Sequence, residues 1–412
     1  MNQELRRDAE QIIRSAMEAV LPDQAVMRAL AADRPTGRVY LVAAGKAAWQ
    51  MAHAACDALG ESIIRGVVCT KYGHGMGELP RCTCYEGGHP VPDENGIRGT
   101  LAALDMVRGL SPEDTVLFLL SGGGSALFEK PLLPLPEMQE ITRQLLASGA
   151  DITEINTIRK RLSAVKGGRF AWACSPARVM TIVLSDVLGD PLDMIASGPA
   201  VADQSTCEQA LDIAARYGLR LSEQAMALLR TETPKQLPNV TTRITGSVRE
   251  LCTAAARACE ALGYRACILT DRLDCHARDA GRMLAAIART HAEEGRMAFI
   301  LGGETVVRVT GRGLGGRNQE LALAAAPVLA GLPHAAVFSV GSDGTDGPTD
   351  AAGGYADGDS QSALQAQGIR IADVLADNDA YHALQAIGGL IVTGPTGTNV
   401  NDVSVALIGG RG

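Results

Sequence analysis

Aromatic rings are scarce in this chain: Phe, Trp and Tyr together make up 3% of its 412 residues. That excludes a nucleic-acid platform built on stacked rings. Long basic runs are missing too, and the formal net charge is −8, which argues against any nucleic-acid partner. No apolar stretch is long enough to span a bilayer, so no membrane partner is expected. Only 7 histidines occur, with no H-E-x-x-H zinc pair among them. No G-x-S-x-G elbow marks a hydrolase serine. The 10 cysteines are scattered. Their one close pair, Cys82 and Cys84, has the wrong spacing for a zinc knuckle, so they read as reduced, partly buried thiols. Residues 1–31 read as an amphipathic helix with Ile12, Ile13, Ala16 and Ala19 on one side. The acids Glu4, Asp8, Glu10 and Glu18 in that segment argue against a transit peptide, and a cytoplasmic location is expected.

Small and aliphatic residues are abundant. Hydrophobic residues reach 46% and glycines number 46, a mix suited to close helix–sheet packing. The length allows about two or three domains. Strand-like runs at 39–43, 65–69, 115–120 and 179–184 alternate with helical runs such as 46–59. Such alternation implies parallel strands with right-handed crossovers, and ligands then collect beyond the strands' carboxyl ends. Residues 231–240, with two prolines, read as a linker. Beyond it, a helix at 248–262 precedes strands at 265–269, 297–301, 305–310, 335–340 and 403–408. The joint Gly302-Gly303-Glu304 suggests a hairpin between 297–301 and 305–310, and hence a mixed second sheet.

The loops after these strands carry the chemistry. Ser121, Gly122, Gly123, Gly124 and Ser125 form a bare turn in which main-chain N–H groups can approach an anion. Lys46 sits in a strand-to-helix turn that is not a Walker A loop, because Tyr40 and Ala47 occupy its Gly and Ser/Thr places. The glycine turn lacks the third Gly of a dinucleotide fingerprint. Arg159, Lys160, Arg161, Lys166 and Arg169 make either a solvated basic face or, at Lys166-Gly167-Gly168, an anion contact. Asp186, Asp190 and Asp193 bring carboxylates beside a strand end, where they can hold Mg²⁺, accept a proton or simply shape a turn. Residues 311–320 are either a ligand loop with Arg317 and Asn318 at a helix start or a flexible hairpin tip. Asp343 lies in an acidic, glycine-rich turn open to a metal or ribose contact. His74 and His89 lie in glycine-rich loops and read as structural.

Taken in order, Ala44-Gly45-Lys46-Ala47, 120–125, 156–168, 185–199, Gly302-Gly303-Glu304-Thr305, 315–321, 341–348 and 394–402 resemble the glycerate 2-kinases of the MOFRL type, some of which carry an older hydroxypyruvate reductase label. The resemblance covers nearly the whole chain, and Gly-Gly-Arg-Asn-Gln-Glu-Leu is its most specific element. It implies an α/β architecture: an N-terminal Rossmann-like parallel-sheet domain over residues 1–236 and a C-terminal mixed-sheet MOFRL domain over 237–412, with the last strand a candidate to return to the first. It further implies an active site in the cleft between them, ATP and Mg²⁺ as cosubstrate and cofactor, and D-glycerate phosphorylated at its 2-hydroxyl. Lys46 and Arg317 are then expected as catalytic cations, Asp186 as the group that orients the hydroxyl, and Asp190 as the metal ligand. Ser121–Ser125, Lys166, Glu304, Asn318 and Asp343 would bind substrate and phosphate. The alternatives are an NAD(P)H-dependent hydroxypyruvate reductase and a non-catalytic sugar-phosphate sensor. The oligomeric state stays open, a homodimer included.

Overall fold

The computed structural model describes residues 1–410. Six strands make the first sheet: β1 (Val39–Ala44), β2 (Ile63–Lys71), β3 (Cys82–Gly87), β4 (Thr115–Leu120), β5 (Arg178–Leu184) and β6 (Val240–Gly246), in the order β3-β2-β1-β4-β5-β6. The β1–β2, β1–β4, β2–β3 and β4–β5 pairings are parallel, and the strand order is that of a dinucleotide-binding fold. Both faces of the sheet are covered, so its central strands are apolar throughout. Every residue of β4 is buried. Leu117 and Leu119 pack on one side with Ala48, Met51, Ala52 and Ala55 of helix Ala48–Leu59. Val116 and Phe118 pack on the other with Phe128 and Phe170. The alanines bring that helix close to the sheet, and each larger side chain contributes roughly 1.5–3 kcal/mol on burial.

The second sheet contains β7 (Arg265–Leu273), β8 (Met297–Gly303), β9 (Ala335–Gly341), β10 (Gly353–Asp357), β11 (Leu390–Ile391) and β12 (Asp402–Ile408), in the order β11-β10-β9-β12-β8-β7. It is mixed, but not by the expected hairpin. Residues 305–310 form no strand, because β8 already has β7 on one edge and β12 on the other. Val306 makes only an isolated bridge to His276. The mixing comes from β12, which runs antiparallel to both β8 and β9, while β7 is parallel to β8. The last strand thus lies inside the second sheet.

Two compact units result: Pro22–Thr245, and Met1–Leu21 with the chain from Gly246 onward. The single N-terminal helix expected over residues 1–31 is two, Gln3–Ala19 and Pro22–Ala32. Pro22 can open a helix but not continue one. Leu5, Ala9, Ile12, Ile13, Ala16 and Met17 are buried on the first of these helices, which packs on helix Val248–Ala261. The 231–240 segment is irregular up to Val240, where β6 begins.

Candidate functional site

In the Pro22–Thr245 unit, β1, β4 and β5 end side by side, and their loops meet. β1 and β4 are where the strand order reverses, the usual ligand position of such sheets. Lys46 follows β1, and its N–H donates to the Gly122 carbonyl at 2.9 Å. The buried Ser121 hydroxyl accepts the Ala47 N–H at 3.1 Å. These bonds stitch the lysine turn to the glycine turn. Helix Ala48–Leu59 begins two residues after Lys46, so the lysine belongs to the turn itself.

The glycines are required here by space. A Cβ on Gly122 would lie 2.2 Å from Asp186 Oδ2. Gly123 has φ +85°, and a Cβ there would lie 3.2 Å from Lys46 Cγ and 3.1 Å from His89 Cδ2. Lys46, Asp186 and His89 therefore crowd round two bare residues. Burial holds the His89 pKa below its ordinary value, helped by the charges of Lys46 and Lys71 and by His74, which favours the uncharged imidazole. Gly124 opens a single turn, Gly124–Leu127, against Ala196. Ser125 Oγ lies 3.4 Å from Ser197 Oγ, which donates to Asn156 Oδ1 at 2.8 Å.

Asp190 shares the loop that carries Asp186. Its φ is +54°, and its buried Oδ1 has no hydrogen-bond partner. Among the described residues no group of three or more His, Cys, Asp or Glu side chains is arranged for a metal. A single hard carboxylate is nevertheless compatible with Mg²⁺, which usually takes one or two carboxylates and completes its shell with phosphate and water oxygens.

The basic segment 159–169 is neither a solvated face nor one anion site. Arg159 reaches the Ser125 carbonyl at 3.3 Å. Lys160 lies between Asp193 and Asp203, at 3.2 and 3.3 Å. Arg161 is fully buried and bonds Ser205 and Glu232. Lys166 is also fully buried, with Nζ 3.5 Å from Glu129 and 3.3 Å from the carbonyls of Phe128 and Ala196. Burial lowers its pKa to about 8 against the opposing pull of Glu129. Its ammonium lies among backbone carbonyls beside Glu129.

The remaining expected residues lie in the other unit. Because β12 is antiparallel, its first residue Asp402 pairs with Gly303 at the end of β8 and Gly341 at the end of β9. Arg317 opens helix Arg317–Leu329 and spans this edge. Its Nε donates to Asp402 Oδ2 at 2.5 Å, Nη2 to Asp402 Oδ1 at 3.0 Å and Nη1 to Glu304 at 2.9 Å. Burial would lower the Arg317 pKa, but its carboxylate partners hold it above the usual value. Burial raises the pKa of Asp402, and Arg317 opposes that rise.

Asp346 caps the same helix, accepting from the Asn318 N–H at 3.1 Å and the Gln319 N–H at 2.8 Å. Burial pushes its carboxyl up to about 6 against those bonds. Asn318 is buried, with its side chain on Asp346 and Ser339. Glu304 is exposed, and Asp343 accepts the Thr345 N–H within its own turn. Residues 311–316 are not a free hairpin tip. The N–H groups of Gly311, Arg312 and Leu314 donate to Asn378, Asp377 and Asp379. A Cβ on Gly311 or Gly313 would strike that acidic turn at 2.3 or 2.4 Å.

The family model described as a domain of unknown function (DUF4147) matches residues 8–230, and that of the MOFRL family matches 297–402. A D-glycerate 2-kinase from Thermotoga maritima is 52% identical over 98% of both chains. A glycerate 2-kinase from Pyrococcus horikoshii is 43% identical over 90% of this chain and 88% of its own. The crystal structure of a glycerate kinase from Thermotoga maritima superposes with a TM-score of 0.96, covering 98% of this chain and 100% of that one at 51% identity.

Proposed function

We infer the activity from one premise: the chain belongs to the MOFRL-type glycerate 2-kinase family. We propose that it transfers the γ-phosphoryl group of ATP to the 2-hydroxyl of D-glycerate, giving 2-phosphoglycerate. One observation carries the reading: Lys46 and Asp186 flank the same two bare residues, Gly122 and Gly123. Phosphoryl transfer passes through a loose transition state and asks mainly for positioning and charge neutralisation. Lys46 offsets charge on the transferring group, and the backbone N–H groups of the glycine turn meet small oxyanions. Asp186 orients the attacking hydroxyl and takes up its proton. In the other unit Arg317, the second cation that the family resemblance assigns to catalysis, is held in a fixed direction by Asp402 and Glu304. Asp190 would hold Mg²⁺ through its unpartnered oxygen, and the ion would supply further neutralisation of the triphosphate.

The test is ATP plus D-glycerate, with the product passed directly to enolase. Phosphoenolpyruvate formed without a phosphoglycerate mutase is the expected result. ADP release that ignores glycerate, or a product that enolase leaves untouched, overturns the reading. Hydride transfer from NADH or NADPH to hydroxypyruvate would favour the reductase instead.

A further inference from the structure

His89 is an imidazole at the glycine turn that the reading above leaves without a task. Its loop is firmly held. Tyr72 Oη donates to Asp93 Oδ2 at 2.7 Å, and Asp93 Oδ1 accepts the Gly96 N–H at 2.9 Å, capping helix Glu94–Met106. A Cβ on Gly88 would strike the Val91 carbonyl at 2.6 Å, so the turn presenting His89 is tightly folded. It is delivered to the bare backbone of Gly123, where a Cβ would lie 3.2 Å from both His89 Nε2 and Lys46 Cγ. Gly122, one residue earlier, abuts Asp186. The imidazole edge and the lysine stem thus meet at one glycine and a carboxylate at the next.

We propose that His89 is a substrate-contacting residue, whose Nε2 hydrogen-bonds the hydroxy acid beside its reacting hydroxyl. The proposal rests on the glycerate kinase reading and adds a residue to it. Two arguments assign His89 to the hydroxy acid and not the nucleotide. Burial, Lys46, Lys71 and His74 disfavour its charged form, and a polyphosphate is best met by cations and backbone N–H groups. A hydroxyl both donates and accepts, so a neutral imidazole of either tautomer can pair with it. His89 also lies against Gly123, one residue from the glycine that abuts Asp186, the group assigned to that hydroxyl.

Steady-state kinetics should compare wild type, His89→Ala and His89→Gln, varying glycerate and ATP separately. The alanine variant should raise KM for glycerate about tenfold or more, as for loss of one ligand hydrogen bond, and leave KM for ATP within about twofold. The glutamine variant, whose amide can reach the Nε2 position, should recover part of the loss. Wild-type protein with ¹⁵N-labelled histidine supplies a readout that needs no variant to fold: the His89 Nε2 resonance should move with glycerate alone. Unchanged glycerate kinetics in both variants, or a resonance that answers ATP but ignores glycerate, overturns the assignment. Wild type with no glycerate-dependent turnover overturns the parent reading instead, and the resonance still decides whether His89 meets the hydroxy acid.

Discussion

At the glycine turn the backbone does the positioning; around Arg317 the side chains do. Lys46 is placed by its own N–H on Gly122 and by the Ala47 N–H on Ser121, while Asp186 and His89 can come close because Gly122 and Gly123 have no Cβ. Arg317 is instead clamped through three donors to Asp402 and Glu304. One arrangement ties the cation to the fold through turn geometry, the other through ion pairs at the edge of a sheet. The two should therefore fail differently when the cation is removed.

The sharpest test is a pair of variants. Lys46→Ala and Arg317→Ala should each lower turnover on the order of 10³-fold, by analogy with transition-state arginines. Their stabilities should separate. Lys46→Ala should stay within about 0.5 kcal/mol of wild type, as for a side chain outside the core. Arg317→Ala strands the buried Asp402 carboxyl and should cost about 2 kcal/mol or more in a denaturant titration. Equal stability losses in the two variants would erase the contrast.

Gly122→Ala probes the backbone half directly. The new Cβ would fall 2.2 Å from Asp186 Oδ2, so the carboxylate must move. A displacement of about 1 Å can cost about 10²-fold, and turnover should fall by that order with only a modest shift in melting temperature. Near-normal turnover would mean that Asp186 is not held where the reaction needs it. Lys166→Ala should do the reverse. It breaks the buried pair with Glu129, so stability should drop by about 3–5 kcal/mol, measured by the denaturant midpoint. A Lys166→Ala protein of wild-type stability that had lost only substrate affinity would move this lysine from the frame into the site.

Much of the frame was legible in the sequence. The central parallel strands are continuous apolar runs because both faces are covered, and their loops fall where a switch-point site belongs. The direction in which each loop residue points was not legible. Lys160, Arg161 and Lys166 read as a basic face or, at Lys166, an anion contact, yet their partners, the buried Asp203 and Glu129 and the exposed Glu232, lie far along the chain. The glycines at 311 and 313 read as clearance for a ligand, but they admit the close approach of the turn at Asp377–Asp379, which only the folded chain supplies. Asp402 was seen as part of a motif and not as a partner for Arg317, because its place beside β8 and β9 depends on β12 being antiparallel. His89 read as structural; its signal was the glycine pair before it, which permits the tight loop that carries it to Gly123.

The smallest expected effect concerns the helix that Arg317 opens. Asp346 caps it, yet burial raises the carboxyl from its usual value of 3.8 to about 6, with Asp402 adding to the rise. A folded-state pKa above the unfolded one means the folded protein binds the proton more tightly. Its contribution to stability is then fully present below about 4 and is lost as pH rises through about 6. Asp346→Asn cannot titrate and keeps one carbonyl oxygen for the cap. Its melting temperature should therefore change less than that of wild type between pH 4 and 6, and the two profiles should run parallel above pH 7. Wild-type and variant curves with the same slope across that window would show that the cap is charged throughout. The backbone donors of Asn318 and Gln319, with Arg317 beside them, would then outweigh burial, and the Arg317 edge would be held by charge at every pH.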